Sequence, residues 1–172
     1  RTVHGLMLMG HHAKAGTPRA VLAHSFDGSL VGYWVNEMHI GEIWMNCYTA
    51  GLSNVPFVFL SGDRAAAEEA QALVPDVEVA VVKEGLAEQA GGLSVLPALS
   101  LAPQKAQSVI RAAARRAMAK IGSIMPYRLE PPFRLRAQFK AERFAEQRAG
   151  QPNVRRLDAV TVEMERADHP WL

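Results

Sequence analysis

Short apolar runs alternate with amphipathic stretches along the first eighty residues. The runs are bounded by glycine, proline and polar turn residues, which is typical of buried strands, and the stretches between them have helical periodicity. Asp63 stands where an N-cap belongs. This strand–helix alternation predicts a three-layer α/β domain with a largely parallel sheet. The predicted strands are Gly5–Met9, Ser29–Val35, Val55–Leu60 and Val77–Val82, and the predicted helices are Gly41–Leu52 and Arg64–Leu73.

The second half begins with a basic amphipathic helix over Gln104–Ile121 and then changes character. After Pro126, Pro131-Pro132 interrupt the chain, and two alternating segments flank a short helical one. We expect an α/β metal-site domain over residues 1–125 and a small α+β C-terminal part over 126–172. The segments are a strand at Phe133–Phe139, a helix at Ala141–Ala149 and a strand at Leu157–Met164; in the basic helix Val109, Ile110, Ala113, Ala117, Met118 and Ile121 are predicted to face inward.

Composition limits the class of protein. Of the 172 residues 49% are hydrophobic and 21% charged, which is ordinary for a globular protein. No apolar run reaches the roughly 18 residues of a membrane span, and no signal peptide is recognisable. The single cysteine, Cys47, forms no internal disulfide and is predicted to be a small buried residue on a helix. We therefore expect a cytoplasmic protein without a membrane partner.

Charge is unevenly distributed. Residues 103–156 carry 13 basic and 3 acidic side chains, whereas residues 1–102 carry 5 and 10. Such a basic block is compatible with nucleic-acid binding, for which salt-dependent association would be the signature. However, no aromatic residues are interleaved with the arginines. We favour a solvated helix face or a subunit contact, and expect no nucleic-acid partner.

The candidate chemistry lies in the loop after the first predicted strand. His12 and His24 flank a turn that contains Gly16 and Pro18, at the carboxyl end of the strand, where α/β sheets commonly bind ligands. Imidazole is a common metal ligand and titrates near neutral pH. The pattern therefore allows a metal or acid/base site, although the residues alone favour structural histidines at both positions.

Many separated segments also share one order and spacing with a known family. The chain resembles the D-aminopeptidase family of zinc metallopeptidases, the type encoded with dipeptide-transport genes. The resemblance is close over the first hundred residues and only outlined beyond them. It rests on Gly10–Pro18, Ala23–Ser25, Val35–Glu42, Asn46, Ala50-Gly51, Asn54–Pro56 and Ser61–Ala66, and more weakly on Pro75, Val81–Glu84 and Ser100–Pro103.

The resemblance implies roles for three residues. His12 and Glu42 match zinc ligands of the family, and His24 matches its catalytic histidine. Zn²⁺ accepts such nitrogen and oxygen donors. Without the resemblance, Glu42 would equally be explained by its place at a helix start, where the helix dipole favours a carboxylate. His11 is expected to pack nearby, and Asn36–His39 to form a surface turn without ligand function.

The resemblance further implies a zinc-dependent aminopeptidase that hydrolyses short peptides, with N-terminal D-amino acids, through two zinc ions. It implies a ring-forming homo-oligomer, which would also cover the aromatic residues Trp34, Trp44 and Trp171. The alternative is a non-catalytic binding or scaffold domain that has lost the metal site. Metal content and peptide hydrolysis distinguish the two.

Two signatures of the family are missing. The family has an Asp-x-Glu-Gly segment near its amino terminus and an Asn-Asp-x-His segment further on, both of which carry zinc ligands, and neither occurs here. We therefore expect a fragment of a longer protein, with a diverged protein as the second reading. Because only two ligands can be assigned, the 172 residues alone are expected to lack peptidase activity.

Overall fold

Two β-sheets and four helices organise the computed structural model, which describes residues 2–88 and 95–170. Within those residues no helix combines the length and apolarity that a membrane span requires. In chain order the elements are β1 Leu6–His11, β2 Leu30–Val35, β3 Met38–His39, α1 Glu42–Leu52, β4 Phe57–Asp63, α2 Arg64–Leu73, β5 Glu78–Gly85, β6 Ala98–Ser100, α3 Pro103–Ala119, β7 Phe133–Phe139, α4 Glu142–Ala149, β8 Arg155–Arg156 and β9 Thr161–Arg166.

The first sheet has the strand order β1-β4-β5-β6. The first three strands run parallel, and β6 is antiparallel to β5. Every residue of β4 is buried, as expected for a central strand covered by helices on both faces. The predicted mostly parallel sheet is confirmed, and the carboxyl ends of β1, β4 and β5 lie at one edge of it.

The second sheet is antiparallel, with the order β3-β2-β7-β9-β8. The predicted strand at Ser29–Val35 exists as β2, but it pairs with β7 and does not join the parallel sheet. Strands from both sides of residue 125 therefore share one sheet. The division into parts 1–125 and 126–172 does not coincide with the two sheets, and as a division into folding units it stays a prediction.

Helix α1 lies between two hydrophobic cores. Ile43 and Cys47 belong to the core around the first sheet, whereas Trp44 and Tyr48 belong to the core around the second. Trp44 is only 2% exposed, so the chain covers this side chain without an oligomer, contrary to our expectation. Burial raises the pKa of the Cys47 thiol to about 12, in agreement with a small buried residue.

Some predictions for the second half of the chain differ from the structure. The segment Leu157–Met164 is not one strand, because Asp158 accepts a hydrogen bond from the backbone N–H of Val160 and turns the chain before β9. On α3, Ala113 and Ala117 are buried as predicted, but Met118 is 57% exposed. Trp171 lies outside the described residues.

Candidate metal centre

The end of β1 brings two histidines to the carboxyl edge of the parallel sheet. His11 is the last residue of the strand and is paired with Gly62 of β4. A Cβ at Gly62 would lie 2.2 Å from the carbonyl oxygen of His11, so only glycine allows this approach. This close approach holds the end of β1 against β4, and so it fixes where the backbone of the next residue, His12, lies at the edge of the sheet.

The loop after His12 returns to the same place. Its two sides are joined by a hydrogen bond from the backbone N–H of His24 to the carbonyl oxygen of Ala13, at 3.3 Å. A second bond, 3.1 Å long, runs from the N–H of Ala15 to the buried hydroxyl of Ser25. As a result the rings of His12 and His24 stack, with centroids 3.9 Å apart and planes inclined by 19°.

Glu42 enters the same space from the first residue of α1. Its N-cap, Gly41, provides no side chain, and a Cβ there would lie 2.6 Å from the Cβ of Lys14. Oε1 of Glu42 accepts a 2.7 Å hydrogen bond from the N–H of Phe26 and lies 3.9 Å from Nε2 of His12. Oε2 is buried without a hydrogen-bond partner within the described structure. Such an orphaned carboxylate oxygen requires an explanation, and a cation supplies one.

The hydrogen bonds of the two imidazoles favour the tautomer that binds metal. Nδ1 of His12 lies 3.1 Å from the carbonyl oxygen of Ala13, and Nδ1 of His24 lies 2.9 Å from that of Leu22. A carbonyl only accepts, so in each neutral ring Nδ1 carries the hydrogen and Nε2 presents its lone pair. One donor atom from each of His12, His24 and Glu42 fits within a cluster in which all separations are below 4.8 Å. This donor set fits Zn²⁺.

Two further carboxylates fix the loop to the α/β core. Asp63, which is 4% exposed, accepts hydrogen bonds from the N–H of Ala66 at 2.8 Å and from the N–H of Val21 at 2.7 Å. Glu69 accepts from the N–H of Lys14 at 2.8 Å, and the lysine Nζ lies 3.5 Å away. Burial raises the pKa of Glu69 in spite of this lysine.

The sequence identified these supports only in part. The sequence predicts Asp63 as a helix cap, and the structure confirms this role, but the hydrogen bond from Val21 to Asp63 joins residues far apart in the chain. Glu69 lies on a regular helix and carries no local signal of its role. Ser25 follows the predicted His24, yet its contact with Ala15 depends on how the loop closes.

The other histidines lie outside the cluster. His11 stacks on His12 with ring centroids 5.1 Å apart, and burial lowers its pKa. His39 sits at the end of the tight turn that contains Asn36 and Glu37, and its ring stacks on Trp34. Burial lowers the pKa of His39 to about 4. His4 is exposed.

Comparisons with known proteins agree with this architecture. A family model described as D-aminopeptidase matches residues 1–170. A D-aminopeptidase of Bacillus subtilis (strain 168) is 37% identical over 89 residues, which are 52% of this chain and 32% of that protein. The structure of the Zn-dependent D-aminopeptidase DppA from Bacillus subtilis, described as a self-compartmentalizing protease, aligns with a TM-score of 0.85 at 27% identity.

The structural alignment covers 96% of this chain but 58% of DppA, so the chain spans little more than half the length of that relative. The family model, in contrast, extends over nearly all of the chain. Fold, sequence and the convergence of His12, His24 and Glu42 point the same way. The chain belongs to the D-aminopeptidase family.

Proposed function

We propose that the protein is a zinc-dependent aminopeptidase that removes N-terminal residues, D-amino acids in particular, from short peptides. The observation that carries the proposal is the cluster of His12, His24 and Glu42, in which Glu42 Oε2 is buried without a partner among the described residues. The names given to the Bacillus subtilis sequence and to the Bacillus subtilis structure that this chain matches support the same activity. Cytoplasmic location is part of the proposal, because Cys47 is free and buried.

In this proposal His12 and Glu42 are direct zinc ligands. His12 is oriented by the carbonyl of Ala13, and Glu42 by the N–H of Phe26. Zinc bound there would polarise the scissile carbonyl and lower the pKa of the attacking water. We assign two ions to the complete site. Three residues supply too few donors for two ions, so the proposed pair requires ligands besides these three.

His24 is proposed to move a proton. Its Nδ1–H is held by the carbonyl of Leu22, which leaves Nε2 directed away from that bond. From there Nε2 takes a proton from the attacking water and returns it to the leaving amine. A specific observation favours another role, because His24 offers a donor atom within 4.8 Å of those of His12 and Glu42. The competing assignment makes it a third zinc ligand.

Three alanine variants of the full-length protein distinguish these roles. His12→Ala and Glu42→Ala should each lose bound zinc and peptidase activity together. His24→Ala should keep its zinc while turnover falls on the order of 100-fold, the usual scale for an acid/base group. His4→Ala, at an exposed histidine, is the matched control for zinc content and folding.

The outcomes separate the alternatives. Full zinc occupancy in both His12→Ala and Glu42→Ala would refute the ligand assignment. Zinc loss in His24→Ala, with residual activity proportional to zinc, would make His24 a ligand. If the unmodified protein neither binds zinc nor hydrolyses D-aminoacyl dipeptides, the non-catalytic scaffold is the correct function.

We also propose that short peptides reach the site within a ring-forming homo-oligomer. The support is the description of DppA as a self-compartmentalizing protease. Sedimentation of the full-length protein should give a mass many times that of one chain. A single monomeric species at micromolar concentration would contradict this part of the proposal.

A further inference from the structure

A cavity of about 260 Å³ opens beside His12 at the carboxyl edge of the first sheet. It is lined by residues at the carboxyl ends of the three parallel strands and by the apolar loop residues Val21 and Leu22. His11, His12 and Lys83 of β5 are also among its lining residues. The cavity thus connects the proposed zinc site with a lysine that neither the fold nor the proposed mechanism uses.

The neighbouring acidic groups are engaged elsewhere. Asp63, which also lines the cavity, accepts two backbone N–H groups, and Glu84 pairs with Arg64 at 3.0 Å. Lys83 is exposed and forms no ion pair within residues 2–88 and 95–170. The cavity is therefore lined by an ammonium group that has no ion-pair partner among the described residues, and by the Asp63 carboxylate, whose hydrogen bonds hold it against Ala66 and Val21. An anion is the ligand that such a group attracts.

Strand register gives the approximate backbone separation between His11, next to the proposed zinc site, and Lys83. His11 pairs with Gly62 of β4, and the next residue of β4, Asp63, pairs with Lys83 of β5. Two strand spacings separate the His11 and Lys83 positions, about 10 Å. One amino-acid residue extends about 3.5 Å, and the flexible four-carbon stem of lysine covers much of the remainder. A peptide with one or two residues beyond the scissile bond fits this separation.

We infer that Lys83 binds the C-terminal carboxylate of the peptide whose scissile carbonyl lies at His12, His24 and Glu42. The inference rests on the proposed peptidase function and names its substrate class, which is dipeptides and tripeptides with a free carboxyl end. Val21 and Leu22, which also line the cavity, would contact the side chain of the departing residue. Longer peptides place their carboxylate beyond Lys83 and lose this contact.

The test compares D-alanyl-glycine with D-alanyl-glycinamide on the zinc-loaded full-length protein. The amide has the same scissile bond but no carboxylate. The unmodified protein should prefer the acid by about tenfold in kcat/KM, the scale of one charge-assisted hydrogen bond at a partly solvated site. Lys83→Met should raise KM for the acid, abolish the preference and leave amide hydrolysis and kcat nearly unchanged.

Two variants complete the design. Lys83→Arg keeps the charge and should retain the preference for the acid. Lys105→Met removes an exposed lysine of α3 and should change nothing. If Lys83→Met fails to fold, Lys83→Gln, which also removes the charge but keeps a polar side chain, takes its place in the comparison and should lose the preference for the acid in the same way.

Equal hydrolysis of acid and amide by the unmodified protein, or a preference that persists in Lys83→Met, would overturn the role of Lys83 while leaving the peptidase function intact. Hydrolysis of neither substrate would overturn the proposed function and the inference with it.

Discussion

Removal of the Asp63 carboxylate should destabilise the protein and disturb the proposed zinc site at the same time. The carboxylate is buried, caps α2 through Ala66 and holds the loop through Val21. Loss of an N-cap costs about 1 kcal/mol. The N–H of Val21, left without its acceptor, adds about 1–3 kcal/mol. For Asp63→Ala we therefore expect a loss of about 2–4 kcal/mol in the free energy of unfolding.

Two variants make this prediction specific. Asp63→Asn keeps one side-chain acceptor oxygen, so it should lose less stability than Asp63→Ala. Asp76→Ala removes an exposed aspartate of the same domain and should have little effect. Denaturant unfolding of the full-length protein measures all three, and the slope with denaturant concentration should stay constant.

Zinc titration of the same variants tests the connection to the site. Val21 lies in the loop between His12 and His24, so Asp63→Ala should weaken zinc binding, whereas Asp76→Ala should not. If Asp63→Ala unfolds within about 0.5 kcal/mol of the Asp76→Ala control, the two hydrogen bonds are not the support that we describe. If the free energy of unfolding falls while zinc affinity is unchanged, the loop between His12 and His24 does not couple Asp63 to the proposed zinc site.

Three further predictions follow from single contacts. Gly41→Ala places a Cβ 2.6 Å from that of Lys14, so it should lower the free energy of unfolding by about 1–3 kcal/mol and weaken zinc binding. At Gly150 the nearest atom to an added Cβ is 3.7 Å away, so Gly150→Ala should have neither effect. Denaturant unfolding and metal titration of both variants check this. Lys120 and Arg116 hold the pKa of Glu78 below its ordinary value in the folded protein. The ionised carboxylate therefore stabilises the fold at pH values above its unfolded pKa, and this stabilisation disappears as the pH falls through the folded pKa. Glu78→Gln should therefore cost up to about 1 kcal/mol near pH 7, and equal unfolding of variant and parent at that pH would contradict the argument. Burial raises the pKa of Cys47 to about 12, so iodoacetamide should label this thiol only after denaturation, and mass spectrometry of the native protein should find it unmodified.

The sequence determined most of the local structure. Periodicity predicts every helix and most strands of residues 2–88 and 95–170, and Asp63 caps α2 where the pattern expects a cap. Helix formation depends on near neighbours in the chain, so a single sequence carries that information. The spacing of His12, His24 and Glu42 resembled the family pattern, and the structure brings these three together. Their roles as ligands and proton carrier stay predictions.

Tertiary structure alone decided how the segments combine. The strand at 30–35 pairs with 133–139, about a hundred residues away, because its apolar side chains share a core with those of β7. The same holds for the supports of the site. Glu69 reaches Lys14, Asp63 reaches Val21, and Phe26 donates to Glu42, all between residues that no short-range pattern links. These contacts depend on which elements pack together, and packing is a property of the folded chain as a whole.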